Sequence, residues 1–539
     1  VLVTADPDAD LEGALADWRR FRQRKRTAEV HWIDVLYQAY LVAILGLVAV
    51  VMASGAVGDA ALTDTEVARL LDRGPAWLGG LAAMAIAFGL RSGSRGGPLA
   101  LERAEVRHVL LSPVDRTTAL RGPALRQLRF LAFVGTVVGA IAGNLAARRL
   151  PGTDLEWVAV GALGGLTLVV LAVGSALVAA GARLARPVAS LLGGALLAAS
   201  LAHALDRLST SPTAAFGDLL LLPLDVRPVG IAVVVLAALL LGVGLTLLGR
   251  ISLEAAERRS SLVGQLRFAA TLQDVRTVLV LRRQLAMELP RLRPWVRLPP
   301  RGTSRWPVFA RGVRGLLRWP AARLARLALL GAVAGASLRG VWAGTTPLLL
   351  LAGAALFVAA LDAVEPLAQE TDHPGRRDAL PVPAAYLHLR HLPIAVVSQL
   401  LVGALAAVVA AAPGEARVPT AVAALAAVTM ALAGVGAAAV SVLAGPPSLS
   451  GGWSLAPPEA QGIRVAFRTA WPPAIATAGT LPVLFGRFAV EAGDPALAGA
   501  QPLLPAVLTL FVLICGWVRV RDDIGAYFRT QMELTNARP

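Results

Sequence analysis

The chain has 539 residues, 56% of them hydrophobic and 16% charged, and a mean hydropathy of +0.65. That balance excludes an ordinary soluble protein, which needs far more polar surface to cover a core of this size. The formal net charge of +16 does not point to nucleic acid, because the basic residues lie between apolar blocks, where the positive-inside rule expects them.

Nearly all of the positive charge is arginine, and Lys25 is the only lysine. Cys515 is the single cysteine, which excludes an internal disulfide and a thiolate metal cluster. The first 30 residues are charged and the first apolar block opens near Val35, so no cleavable signal peptide is expected. Within residues 1–34, Leu11, Leu15 and Trp18 recur at helical spacing beside Arg19, Arg20, Arg22, Arg24, Lys25 and Arg26. An apolar stripe with a basic face predicts a helix lying in the headgroup layer.

Apolar blocks then follow at 35–54, 76–90, 128–147, 157–182, 187–205 and 229–249. A second set lies at 325–342, 346–363, 393–412, 419–444, 470–488 and 501–520. Most are long enough to cross the hydrocarbon layer as helices, about 20 residues for about 30 Å. The expected class is therefore an all-α integral membrane protein with about a dozen transmembrane helices.

Loop charges set the expected orientation. The 55–75 loop carries Asp59, Asp64, Glu66 and Asp72 and the 489–500 loop carries Glu491 and Asp494; both are placed outside. The arginine-rich 91–127 loop and the tail with Arg519, Arg521 and Arg529 are placed inside. Both termini are then cytoplasmic, in the plasma (inner) membrane. Arg148 and Arg149 fit least well, in a short loop placed outside.

The middle stretch is polar and heavily basic, with a Pro/Arg-rich passage from Pro290 to Pro307. After it, Phe309, Val313, Leu316 and Leu324 form one stripe and Arg311, Arg314 and Arg318 another, predicting a second interfacial helix before the seventh span. The layout thus repeats: a basic amphipathic segment, two spans, a long loop, then four spans. The expected divisions are a segment at 1–34, a half at 35–249, a basic linker at 250–307, an elbow helix and second half at 308–520, and a tail at 521–539.

The two long loops correspond in detail. LERAEVRHVLLSPVDRTTALRGP (Leu101 to Pro123) and EPLAQETDHPGRRDALPVPAAYLHLRHLP (Glu365 to Pro393) both place acidic residues after a span. Both then carry Pro-Val, at Pro113-Val114 and Pro381-Val382, and a helix-compatible stretch ending in Arg121 or Arg390. Proline suits a helix's first turn, so each loop is expected to hold a short helix lying across the cytoplasmic face. The apolar run Leu219 to Leu224 is too short to span and predicts a short external or re-entrant segment.

No G-x-x-x-x-G-K-[ST] occurs, so the chain has no phosphate-cradling loop, and H-E-x-x-H and G-x-S-x-G are also missing. Asp372-His373 is the most chemical-looking pair, read as structural. Ionisable or polar residues inside spans are functional suspects; here they are Asn144, His203, Arg339, Asp362 and Arg487, all near block ends where snorkelling or capping is the simpler role. No run of acids or lysines crosses the span centres, which speaks against a proton or sodium relay.

The elbow helix, six spans per half, the long loop between second and third spans and the short external segment resemble the plan of ABC-2-type exporter permeases. The turn at Leu111 to Val114, and again at Leu380 to Val382, is similar to the loop such permeases press against their ATPase. FAATLQDVRTVLVLRRQ and LDAVEPLAQETDHP also resemble actinobacterial membrane proteins of unassigned function. The permease resemblance implies a fused two-half subunit that is not itself an enzyme and carries no cofactor or metal. It further implies a separate ATPase dimer that binds the ATP and clamps the two cytoplasmic loops while the halves rock. Glu102, Glu105, Pro113, Asp115 and Arg116, with Glu365, Glu370, Asp372, Arg376 and Pro381, are then the candidate ATPase contacts. Membrane lipid is the other expected partner. An ion-coupled secondary transporter, a polytopic enzyme and a membrane anchor or assembly protein remain the alternatives.

Overall fold

The computed structural model describes residues 61–97, 99, 101, 115–252, 294–296, 306–373, 375, 379, 381–414, 416–444 and 470–536, with Gly13, Asp17, Arg20, Phe21, Ser54 and Gly55 as single positions. The first elbow helix, the 35–54 block apart from Ser54, most of the 250–307 linker, and Glu102, Glu105, Pro113 and Arg376 lie outside the described residues. Among the described residues every regular element is helical. Among the described residues nine helices are long and apolar enough to cross a membrane, or up to eleven if each of two bent pairs is one span. The chain is a polytopic membrane protein. It divides into two compact units, Val1–Arg267 and Phe268–Pro539.

In the first unit the helices are α1 (Asp64–Gly93), α2 (Arg116–Ala147), α3 (Asp154–Gly181), α4 (Arg186–Ala204), α5 (Ala214–Leu220) and α6 (Pro228–Thr246). Their starts are written locally. Glu66 accepts from the Thr63 backbone N–H at 2.8 Å before α1, and Glu156 accepts from that of Thr153 at 3.0 Å before α3. Each is the T-x-x-E capping pattern, which satisfies donors the helix leaves orphaned. Pro sits in the first turn of α4 and α6, where its missing N–H costs nothing.

The helix α3 is the hub, and small residues set how closely its neighbours approach. Gly135, Gly139 and Gly143 of α2 face Gly165, Gly161 and Trp157 of α3, carbonyl against α-carbon. A Cβ at Gly135 would stand 2.7 Å from the Gly165 carbonyl oxygen, and one at Gly139 or Gly143 would collide outright with the carbonyl of Gly161 or Trp157. This is glycine-every-fourth-residue packing, in which lipid offers no hydrophobic drive and dispersion between touching backbones does the holding. Gly89 and Gly93 bring α1 onto Ala172 and Ala176 of α3 in the same way. The short α5 is wedged in, with Phe216 and Leu219 fully buried and Gly217 lying on the Pro75 backbone of α1. It is the short segment expected between Asp206 and Pro228.

The second unit contains α7 (Pro307–Leu316), α8 (Ala321–Trp342), α9 (Leu348–Ala363), α10 (Glu365–Asp372), α11 (Ala384–Ala411), α12 (Thr420–Leu443), α13 (Ala470–Ala478), α14 (Leu481–Glu491), α15 (Ala496–Ala500) and α16 (Leu503–Asn536). Here α12 is the hub, with 72% of its apolar window buried against 6% for the peripheral α2. Alanines make that burial possible: Ala426, Ala437, Ala438 and Ala439 are fully enclosed. The amphipathic α7 appears where the second interfacial helix was expected.

Three expectations change. The stretches ending at Arg121 and Arg390 are not separate short helices but the opening turns of α2 and α11, which continue through Pro123 and Pro393. Proline near a membrane helix's start is tolerated because neighbouring helices re-satisfy the freed carbonyl. The 346–363 and 470–488 blocks lead into bends, of 59° between α9 and α10 and 49° between α13 and α14. The final helix also does not stop at 520 but runs to Asn536, so the tail at 521–539 begins as helix.

Replacing Gly139 or Gly143 with Ala should separate α2 from α3 and cost about 1–3 kcal/mol, as overpacking does. Gly242→Ala, at an exposed position with open space beside it, should be neutral or stabilise by up to about 1 kcal/mol through helix propensity. Thermal unfolding in one detergent separates the two, and equal midpoints for all three variants would refute the seam.

Candidate functional site

The most concentrated chemistry among the described residues lies where α9 breaks into α10. Pro366 has no N–H, so the carbonyl of Asp362 four residues earlier loses its helical partner and the helix turns. Arg323, from the start of α8, donates from Nη2 to that carbonyl at 2.9 Å. The same guanidinium pairs with the Glu365 carboxylate and lies 3.6 Å from that of Asp362. Arg326, one turn on, pairs with Asp362, and the Arg323 guanidinium stacks 4.1 Å over the Trp319 ring. Charges are expensive this far from water unless paired and hydrogen-bonded, and here each has a partner.

Farther along α10, Leu367 and Ala368 turn inward and Glu370 is buried beneath them, only 3% exposed. Its carboxylate accepts from Arg311 of α7 at 2.6 Å and lies 3.7 Å from Nε2 of His391 on α11. Three different helices therefore fasten α10 through Glu365 and the buried Glu370. Gln369, Thr371 and Asp372 are partly open, and Pro381 and Val382 beyond the helix are exposed.

These positions sort the sequence candidates. Glu365 and Glu370 were expected to face a partner, but both carboxylates are used internally, so they hold α10 rather than present a surface. Asp372 and Pro381 keep an accessible face. Asp115 accepts from the Thr118 backbone N–H at 2.9 Å as the N-cap of α2, whose first residue is Arg116. That hydrogen bond above all holds the Asp115 carboxyl below the ordinary aspartate range, with Thr118 and Thr117 side chains and the Thr117 N–H assisting.

The intramembrane candidates are mostly supports. Arg487 donates from Nε to Glu491 at 2.6 Å and from Nη1 to the Val341 carbonyl at 3.1 Å, adding a side-chain donor to the last turn of α8. Arg339 lies against Gly414, whose φ of +138° no side chain would favour. Asn144 and His203 are half-buried near the ends of α2 and α4, and Arg148, the awkward loop arginine, donates to Ser54 at 2.8 Å. Within the second unit, Arg339 and the Arg487 contact to Val341 lie at the end of α8 away from Arg323 and Arg326.

Sequence reasoning did not single out Arg323, Arg326, His391 or Gln399. The first two had a signal: Arg323 and Arg326 on α8 and Asp362 and Glu365 around the α9 break share a three-residue spacing, which puts each pair on one face. Gln399 lies well inside α11, fully buried; its Nε2 donates to the Leu356 carbonyl at 3.0 Å while Oε1 meets no partner. Among the described residues no group of three or more His, Cys, Asp and Glu is placed to hold a metal ion. The arrangement is a short bent helix held to its neighbours by ion pairs. No protein-family model, curated protein or solved structure matches the chain.

Arg323→Ala or Asp362→Ala should each cost about 3–5 kcal/mol by stranding a charge, and the double variant less than their sum. Unfolding in detergent measures this; small additive losses would mean the pairs are solvated. Asp115→Ala should cost about 1 kcal/mol and Asp115→Asn little. Because the folded-state pKa is depressed, the ionised cap's contribution is full above the unfolded-state aspartate value and is lost as pH falls through the folded one. Asp115→Asn should therefore flatten the acid limb of stability against pH.

Proposed function

We propose that this chain is the transmembrane permease subunit of an ATP-driven ABC-type exporter, working with a separate ATPase dimer docked on its cytoplasmic loops. The observation that carries the reading is α10. A short helix, bent 59° from the span before it and tied by Arg311, Arg323 and His391 to three other helices, lies between the first two spans of the second unit and the next long one. Force applied to its outward face would be passed to α7, α8 and α11 together, which is what coupling to a motor requires. Nucleotide then drives transport only if the ATPase binds one arrangement of the spans better than the other.

The packing order of the two units supports reading them as the six-plus-six halves of a fused permease. In each, a hub (α3, α12) packs on the long helix before it (α2, α11), on an earlier one (α1, α9) and on the last long one (α6, α16). In this reading the α10 end is cytoplasmic, as are both termini, and the membrane is the plasma (inner) membrane. Asp372 and Pro381 offer the open face to the ATPase.

A second reading, an ion-coupled secondary transporter, is favoured by the α13–α14 break beside α12, where Thr429 donates to the Gly479 carbonyl at 2.6 Å. Broken helices and buried polar side chains such as Gln399 are its usual pointers.

Purification of the full chain from its host in mild detergent distinguishes them. The exporter reading expects a P-loop ATPase to co-purify. It expects retention to fall about tenfold, a loss of about 1.4 kcal/mol in binding, when Asp372 is charge-reversed together with Pro381→Ala. An ATPase absent from the preparation, with gradient-driven uptake in proteoliposomes of this chain alone, would establish the second reading. Neither association nor uptake would leave an anchor or assembly protein.

A further inference from the structure

In the first unit α1 and α4 run antiparallel in a regular register. Gly193 lies on the Ala87 backbone, and one turn on Arg91 donates from Nη1 to Ser190 Oγ at 2.8 Å. The next step brings Arg95, just past the end of α1, beside Arg186, the first residue of α4. Burial, then the neighbouring charges of Arg91 and Arg186, hold the Arg95 guanidinium below the ordinary arginine range. Among the described residues none of the three forms an ion pair with an acid. The N-terminus of α4 adds its own positive end here, since Ala185 supplies no side-chain cap.

Arg91 is half-buried while Arg95 and Arg186 are exposed, and like charges gathered together draw a counter-charge, because their repulsion grows wherever water is excluded. The surface next to them decides what supplies it. Phe88 on α1 and Val188, Leu191 and Leu192 on α4 are exposed within about a turn of the arginines. Cations at a helix end above bare apolar surface match a phospholipid, with phosphate at the interface and chains alongside the spans.

We propose that Arg91, Arg95 and Arg186 form a binding site for the phosphate of an anionic phospholipid, whose acyl chains lie on the exposed apolar surface of α1 and α4. The site is independent of the transport reading. Bound lipid neutralises the three charges and clamps the end of the α1–α4 seam, which lies opposite the end where Arg73 and Asp206 meet at 3.8 Å.

The test compares unfolding midpoints of the full chain in nanodiscs of phosphatidylcholine alone and with a minor fraction of phosphatidylglycerol. Wild type should gain roughly 2–4 °C from phosphatidylglycerol, the size of shift one modest site gives. The Arg95→Gln/Arg186→Gln variant should lose that gain, yet match or exceed wild type in phosphatidylcholine alone, because its repulsion is relieved. Arg73→Gln should keep the wild-type gain. A double variant less stable than wild type in both lipids would mean the arginines are merely structural, and an undiminished gain in it would place lipid binding elsewhere. Inorganic phosphate reproducing the gain in phosphatidylcholine nanodiscs would overturn the lipid assignment in favour of a free-phosphate site.

Discussion

Backbone touching backbone is the constraint on which the first unit depends. Where Gly139 meets Gly161 and Gly143 meets Trp157, the two helix axes are as close as main-chain atoms allow, and no side chain mediates. Inside a membrane that closeness matters more than in water, because lipid tails are as apolar as leucine and apolar area gains nothing by leaving them. What remains is dispersion, and dispersion falls steeply with distance. Along most of its length α2 is held by that seam, while its first turns bury Ala119, Leu120 and Ala124 against Leu177, Leu248 and Ile251. The second unit solves the same problem with alanine around α12, trading a little closeness for a helix former at every turn.

This packing leaves few places for charge, and the α9–α10 break is where the second unit concentrates it. The break begins with a missing proton on Pro366, which frees one carbonyl. Arg323 takes that carbonyl, and in doing so is positioned for Asp362 and Glu365. A local backbone rule thus recruits a long-range ion-pair group. The buried Glu370 repeats the logic farther on, binding α7 and α11 to the same short helix. A joint of this kind is stiff in its connections and movable as a body, which suits an element that receives force.

The two units treat their arginines differently. At the α10 joint each cation meets a carboxylate from this chain. At the α1–α4 seam Arg95 and Arg186 meet each other, and among the described residues no acid pairs with either. Both arrangements lie at helix ends, and the buried polarity farther inside the spans comes from uncharged side chains such as Thr167, Ser175, Gln399 and the threonines around Gly479.

The sequence by itself determined the class, because apolar blocks of bilayer length and arginine-rich loops have no other physical solution at this composition. It also marked a segment too short to span near Leu219, where the structure has the short helix Ala214–Leu220, since apolar run length is a property of neighbours in the chain. It did not show that the turns before Arg121 and Arg390 belong to the following spans, because whether a proline ends a helix depends on what else satisfies the freed carbonyl. Nor did it show that Glu370 is hidden: an acid in a polar loop looks exposed until Arg311 and His391 arrive from elsewhere. Which glycines face which carbonyls, and which arginines find an acid, were decided only by tertiary structure, because both depend on distances between residues that chain order keeps far apart.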